Sequence, residues 1–422
     1  MEQIGVLKMS KPNIILLMFD ALSAEDINKH ADNLPHITKL LQNSLTYRNC
    51  YAPSPQSGPA RASLFTGLDM AAHGVWSDNI ALPSHEVTLP EQFSKAGYAT
   101  WLVGRRQLAR TSHWTTEQFR PHEYDHLSWA HGPLHRSRQN AYLDWLSERA
   151  PAHYQEIFPE QPNADNTDIP PPVRAALRAL PDELCFHSWV GAQIAHRLSS
   201  HTGDQPFFGV AGLVTGDDMG APRDNGGSEV SECIDPQALK QADELVGKLM
   251  KEFASIPNNI ILMTAARGTK ASPEAHHMQD RSLHVPLAIY GTIHPAQDYS
   301  DIVSTIDIAP TLYELGQVKP PPRQQGASVL SGNMRGWAFA RLRHPKLAHQ
   351  SALTYGRYKL IMNHAAGIAD CYSLYDRDTD PDEANDLAQN SDHRDTLTDM
   401  VDIMIDARVA LEDRTEPRIA LF

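Results

Sequence analysis

Apolar residues along this chain come in short unbroken runs, at 14–19, 99–103, 207–214, 260–264 and 285–289, each bounded by polar or turn-forming residues. Runs without inside–outside alternation suit strands covered on both faces, as in a parallel sheet flanked by helices. Between them, residues 33–42, 89–96, 184–198 and 236–253 read as helices. Strands alternating with helices predict an open α/β sheet, with ligands at the carboxyl ends of the strands. Residues 156–173, rich in Pro, Asn and Asp, read as a long surface excursion. A second break falls at Lys319-Pro-Pro-Pro-Arg-Gln-Gln-Gly326, beyond which come a strand-like 358–362 and a helix near 392–410. The chain therefore divides into an α/β domain, 1–327, and a smaller C-terminal α+β subdomain of antiparallel strands plus helix, 328–422. No internal repeat is seen.

Composition narrows the partners. Hydrophobic residues make up 41% and charged residues 21% of the 422, ordinary values for a globular protein with a substantial core. The formal net charge of −14 argues against nucleic acid or an anionic membrane as partner, so a phosphate or sulfate site would need its own cluster of cations. The apolar runs are far too short to cross a bilayer. The N-terminus reads as free of a signal peptide. Cys50, Cys185, Cys233 and Cys371 are scattered without a C-x-x-C pair, as expected of reduced thiols. The cytoplasm is the expected compartment, and a homo-oligomer is in keeping with base rates.

One segment carries candidate chemistry. In Ser57-Gly-Pro-Ala-Arg61, Pro59 suits the first position of a helix and Gly67 its stop. Ser57 would then precede a helix N-terminus, where free amides favour anions. Arg61, one turn in, could offer a two-pronged donor to the same anion. This constellation fits a nucleophile that attacks a sulfate or phosphate ester.

Here the chain resembles the sulfatase family of the alkaline-phosphatase superfamily, whose signature C/S-x-P-x-R, then Leu-x-Thr-Gly, is matched by Ser57, Pro59, Arg61, Leu64, Thr66 and Gly67. Further matches run in order along the chain. They include Pro12-Asn-Ile-Ile-Leu-Leu-Met-Phe-Asp20, Leu34-Pro-His-Ile-Thr-Lys-Leu40, His73-Gly-Val75, Ser282-Leu-His-Val-Pro286, Ile306-Asp-Ile-Ala-Pro-Thr-Leu312 and Leu374-Tyr-Asp376. The resemblance implies a large mixed, mostly parallel sheet sandwiched by helices. It also implies hydrolysis of a small sulfate monoester, with phosphate or phosphonate esters as runners-up. Ser57 would be the nucleophile, matured to formylglycine, with Arg61 beside it; a divalent cation, usually calcium, would be held first by Asp20.

The family pattern fails at the metal. Asp20 is followed by Ala21, and where the family has Thr-Ser-Asp-His/Asn-Gly this chain has Thr264-Ala-Ala-Arg-Gly268. An alanine cannot ligate, and a guanidinium would repel a cation. The family's Gly-Lys-x-His is Gly104-Arg-Arg-Gln107, in which Arg105 can supply the lysine's charge but Gln107 transfers no proton. Arg105, Arg267 and Gln107 become the candidate substrate-binding residues. The first reading is a pseudoenzyme with an arginine-rich anion-binding cleft. A second is a hydrolase whose metal site is rebuilt with Asp217, Asp218, His276 and His277 beside Asp20. A third is a conventional sulfatase. The plainer readings are a helix-cap Ser57, an Asp20 paired with Arg61 or Arg267, a surface pair Arg105-Arg106 and a solvated His276-His277.

Overall fold

The computed structural model describes residues 11–78, 80–109, 116–158, 171–203, 205–216, 234–269, 278–291, 295–343, 349–364 and 371–412. Nine strands form the main sheet: β1 Asn13–Ala21, β2 Ser44–Tyr51, β3 Ala99–Gly104, β4 His126–Trp129, β5 Phe207–Leu213, β6 Asn259–Arg267, β7 His284–Val285, β8 Leu287–Gly291 and β9 Gln297–Ser304. Their order is β4-β3-β5-β1-β6-β8-β2-β7, with β9 also paired to β2. The five strands from β4 to β6 are mutually parallel, and β8 joins β6 antiparallel. The sheet is therefore mixed and mostly parallel, as the apolar runs and the family resemblance imply.

Every residue of β1, β5 and β6 is buried, which is why these strands show no alternation. Successive side chains still point to opposite faces. Phe208 stacks on Phe93 of the helix Leu89–Lys95 at 4.2 Å, whereas its neighbour Phe207 meets Phe253 of the helix Pro236–Phe253. Helices thus cover both faces, with β1 at the centre between β5 and β6.

Two expectations need correction. The run 285–289 is not one parallel strand: Pro286 has no N–H to give a ladder and splits it into β7 and β8, both antiparallel to β2. The stretch 156–173 begins and ends in the helices Pro151–Ile157 and Pro171–Arg178, while 159–170, most of the expected excursion, lies outside the described residues.

The second sheet, β10 Trp337–Arg343, β11 His349–Tyr355, β12 Tyr358–Asn363 and β13 Tyr372–Asp376, is antiparallel throughout. Its side chains do alternate. Phe339, Leu353, Leu360 and Leu374 pack under Met400 and Met404 of the helix Arg394–Ala410. Ala338, Ala340, Leu342, Ala352 and Ile361 face Tyr51 and Ile302 of the main sheet, together with Met278 and Leu283 from the segment before β7. Among the described residues no helix is long and apolar enough to cross a membrane.

Candidate functional site

Three strand ends and one helix converge at the carboxyl edge of the main sheet. Asp20 is the penultimate residue of β1, Arg267 closes β6 in register with Ala21, and Arg105 follows the end of β3. Ser57 and Arg61 come from the helix Ser57–Thr66, all of whose residues are buried. That helix begins earlier than the sequence suggests: Ser57 is its first residue, Gln56 is the cap, and Pro59 stands third, where its missing N–H still costs nothing. It stops as expected at Gly67, whose φ of 70° lies in the left-handed region. The Gly58 amide donates to Asp78, so a carboxylate of the chain itself already occupies part of the helix N-terminus expected to hold an anion.

The path of the chain at Arg105 depends on two glycines. Gly104 has a φ of 85°, and a Cβ there would lie 2.2 Å from the Gly212 carbonyl oxygen. A Cβ on Gly212 would lie 1.9 Å from the Arg105 carbonyl oxygen. Only bare backbone on both strands lets the Arg105 amide donate to the Gly212 carbonyl and its side chain turn over the tip of β1.

At the centre, Asp20 is bound on both oxygens. An Arg61 terminal nitrogen donates to Oδ1 at 2.5 Å, and an Arg105 terminal nitrogen donates to Oδ2 at 2.9 Å. The other Arg105 terminal nitrogen lies 3.0 Å from His131 Nε2. Arg61 also donates to the Arg106 carbonyl at 2.8 Å, while its Nε has no partner although the side chain is fully buried. Arg267 Nε donates to Ser57 Oγ at 2.9 Å, and Ser57 Oγ lies 3.4 Å from Asp20 Oδ1. Asp20, Ser57, Arg61, Arg105 and Arg267 are all buried.

Charge follows from this packing. Burial acts to raise the Asp20 carboxyl, but Arg105, then Arg61 and Arg267, outweigh it and hold it below its ordinary value. Burial brings the Arg61 guanidinium down to about 10, against the pull of Asp20. A carboxylate so held is a weak base, unsuited to taking a proton from Ser57 near neutrality.

The remaining candidates separate. Arg106 is not a surface charge: it is buried, donates Nε to Glu117 at 2.9 Å, pairs with Glu123, and lies over the Phe119 ring at 4.2 Å. It is thereby committed to structure. Gln107 is buried, with a φ of 62°; its amide donates to Glu117 at 2.9 Å and its side-chain oxygen has no partner. Asp217, Asp218, His276 and His277 lie outside the described residues. Asp20 pairs with Arg61, as one plain reading has it, but with Arg105 and not Arg267 as the second partner. His131 escaped the sequence reading, and the His135 ring lies tilted against it, with centroids 4.7 Å apart. Neither belongs to a recognisable spacing; only strand β4, which delivers them beside β3, reveals them.

A calcium ion needs several hard oxygen ligands, mostly carboxylates. Among the described residues no group of three or more His, Cys, Asp or Glu side chains is placed to hold a metal. Asp20 has both oxygens on guanidiniums, and Ala266 is buried and apolar. The described residues therefore do not fit a divalent cation.

Comparison with known proteins agrees with this architecture. A family model described as Sulfatase matches residues 12–142, and one described as N-sulphoglucosamine sulphohydrolase, C-terminal, matches residues 274–410; together they span more than half of the chain. The chain is 22% identical to the uncharacterized sulfatase YidJ of Escherichia coli (strain K12), over 96% of this chain and 88% of the relative. It is 22% identical to arylsulfatase K of Xenopus laevis, over 90% and 79% respectively. Among solved structures, a phosphonate monoester hydrolase of Agrobacterium radiobacter superposes with a TM-score of 0.72 at 15% identity, covering 95% of this chain and 96% of that one. At this identity the superposition speaks for the fold alone.

Proposed function

The chain belongs to the sulfatase family of hydrolases, and from that premise we propose that it binds the sulfate or phosphate group of a small anionic ester through arginine, with hydrolysis impaired or lost. The observation that carries this reading is the set of contacts at the strand ends. Arg61 and Arg105 hold Asp20, and Arg267 holds Ser57, at the place where the resemblance calls for a cation and its nucleophile.

The electrostatics support binding over turnover. Guanidiniums match the geometry of oxyanions with fixed, paired donors. Arg61 and Arg105 already meet the Asp20 carboxylate, each through one terminal nitrogen on one oxygen. Hydrolysis asks for more: a nucleophile brought to a reactive state and stabilisation that grows in the transition state. Ser57 instead accepts a hydrogen bond from Arg267, which lowers the electron density of its oxygen, and Asp20 is too well held to act as its base.

Thermal melts test the reading. Sulfate or phosphate should raise the melting temperature through binding linkage, and Arg105→Gln should abolish the rise while calcium leaves the wild type unchanged. A panel of sulfate, phosphate and phosphonate esters should show no turnover. Calcium-dependent stabilisation, or turnover with added cations, would instead favour a hydrolase rebuilt around Asp217, Asp218, His276 or His277. An intact mass about 2 Da below that of the sequence, the loss of two hydrogens on oxidation of Ser57 to formylglycine, would also count for turnover.

A further inference from the structure

We infer that the Arg267 guanidinium serves this site as a tethered replacement for a divalent cation, and that Ala266→Asp with Arg267→Asn lets calcium compete with Arg61 and Arg105 for Asp20. The inference rests on the proposed arginine-held site and adds a statement about what excludes metal from it.

The strand register carries the argument. β1 and β6 run parallel with Phe19 against Ala265 and Ala21 against Arg267, which sets Ala266 beside Asp20. Residues in register on neighbouring strands share a face and stand about 4.8 Å apart. A carboxylate at 266 would therefore lie next to that of Asp20. Two carboxylates at that spacing can share one calcium, whose oxygen ligands sit about 2.3–2.6 Å away. At present Ala266 is fully buried and gives no ligand.

Arg267 supplies the second half. Its Nε donates to Ser57 Oγ at 2.9 Å, and its charge helps hold Asp20 ionised. A fixed positive charge within hydrogen-bond reach of Ser57, which itself stands 3.4 Å from Asp20, repels a second cation. Asparagine at 267 would remove that charge and keep an oxygen that can ligate.

Calcium alone is the probe, measured on the full chain by equilibrium dialysis and thermal melts. The wild type and Ala266→Asp alone should bind none, the latter because the new carboxylate would pair with Arg267. The double variant should bind about one calcium per chain and melt several degrees higher in its presence. Arg267→Asn, which removes a buried charge and its hydrogen bonds to Ser57 Oγ and the Gly268 carbonyl, should gain a smaller calcium-dependent rise, so the test survives a double variant that does not fold. No calcium effect in either Arg267→Asn or the double variant overturns the inference. So does stoichiometric calcium on the wild type or on Ala266→Asp. Sulfate melts of the wild type report on the anion reading separately, so failure of one is distinguishable from failure of the other.

Discussion

At Asp20 two opposing effects meet. Burial penalises its charge, yet Arg105, Arg61 and Arg267 favour that charge more strongly, and the carboxyl sits below its ordinary value. A folded-state value below the unfolded one contributes stability that is fully present above the unfolded range, near pH 4, and lost as pH falls through the folded value. Asp20→Asn would leave Arg61 and Arg105 without their shared carboxylate. Breaking a buried pair from one side costs about 3–5 kcal/mol. The expected result in urea unfolding is a loss of that order near neutrality, with the gap to wild type narrowing below about pH 4; a gap independent of pH would contradict the assignment. The sequence disclosed Asp20, Ser57 and Arg61 because each falls within a local motif. It did not disclose that Arg106 would turn inward, since its partners Glu117 and Glu123 lie in a separate stretch with no periodic relation to it.

Among the elements, the turn after β3 shows how backbone shape aims a side chain. Gly104 has a φ of 85° and approaches Gly212 too closely for a Cβ on either. Gly104→Ala would carry the strain of a left-handed conformation, about 1–3 kcal/mol, and a clash with backbone that cannot give way. Lower stability and a loss of the sulfate-induced rise in melting temperature are expected, because Arg105 follows directly. Wild-type anion binding in this variant would show that Arg105 does not need this path. The elements legible in the sequence were those whose burial is complete, such as β1, β5 and β6. Strands β2 and β9 were not: Ser44–Tyr51 mixes buried and exposed positions, and half of Gln297–Ser304 is polar and exposed, so neither makes an apolar run. Their pairing is set by contacts across more than 240 residues, including Asn49 donating to the Ser300 carbonyl.

For the whole molecule, the smaller sheet is fixed to the larger one by charge as well as by apolar contact. Lys359 on β12 is fully buried and lies 2.8 Å from Asp280 and 2.9 Å from Glu383, while Arg377 donates to the other Asp280 oxygen at 2.8 Å. Lys359→Met would leave two carboxylates facing one arginine, and a loss of about 3–5 kcal/mol is expected. Adding Glu383→Gln restores the balance of charge and should recover part of that loss; additive losses in the double variant would contradict the coupling. None of this network was legible locally, because Lys359 and Asp280 stand 79 positions apart and meet only when the two sheets dock. The central claim concerns the other end of the sheet: that arginine has taken the place of a metal. Elemental mass spectrometry on freshly purified, chelator-free protein tests it most directly. The account predicts no stoichiometric calcium, magnesium or manganese; about one such ion per chain, lost on Asp20→Ala, would contradict it.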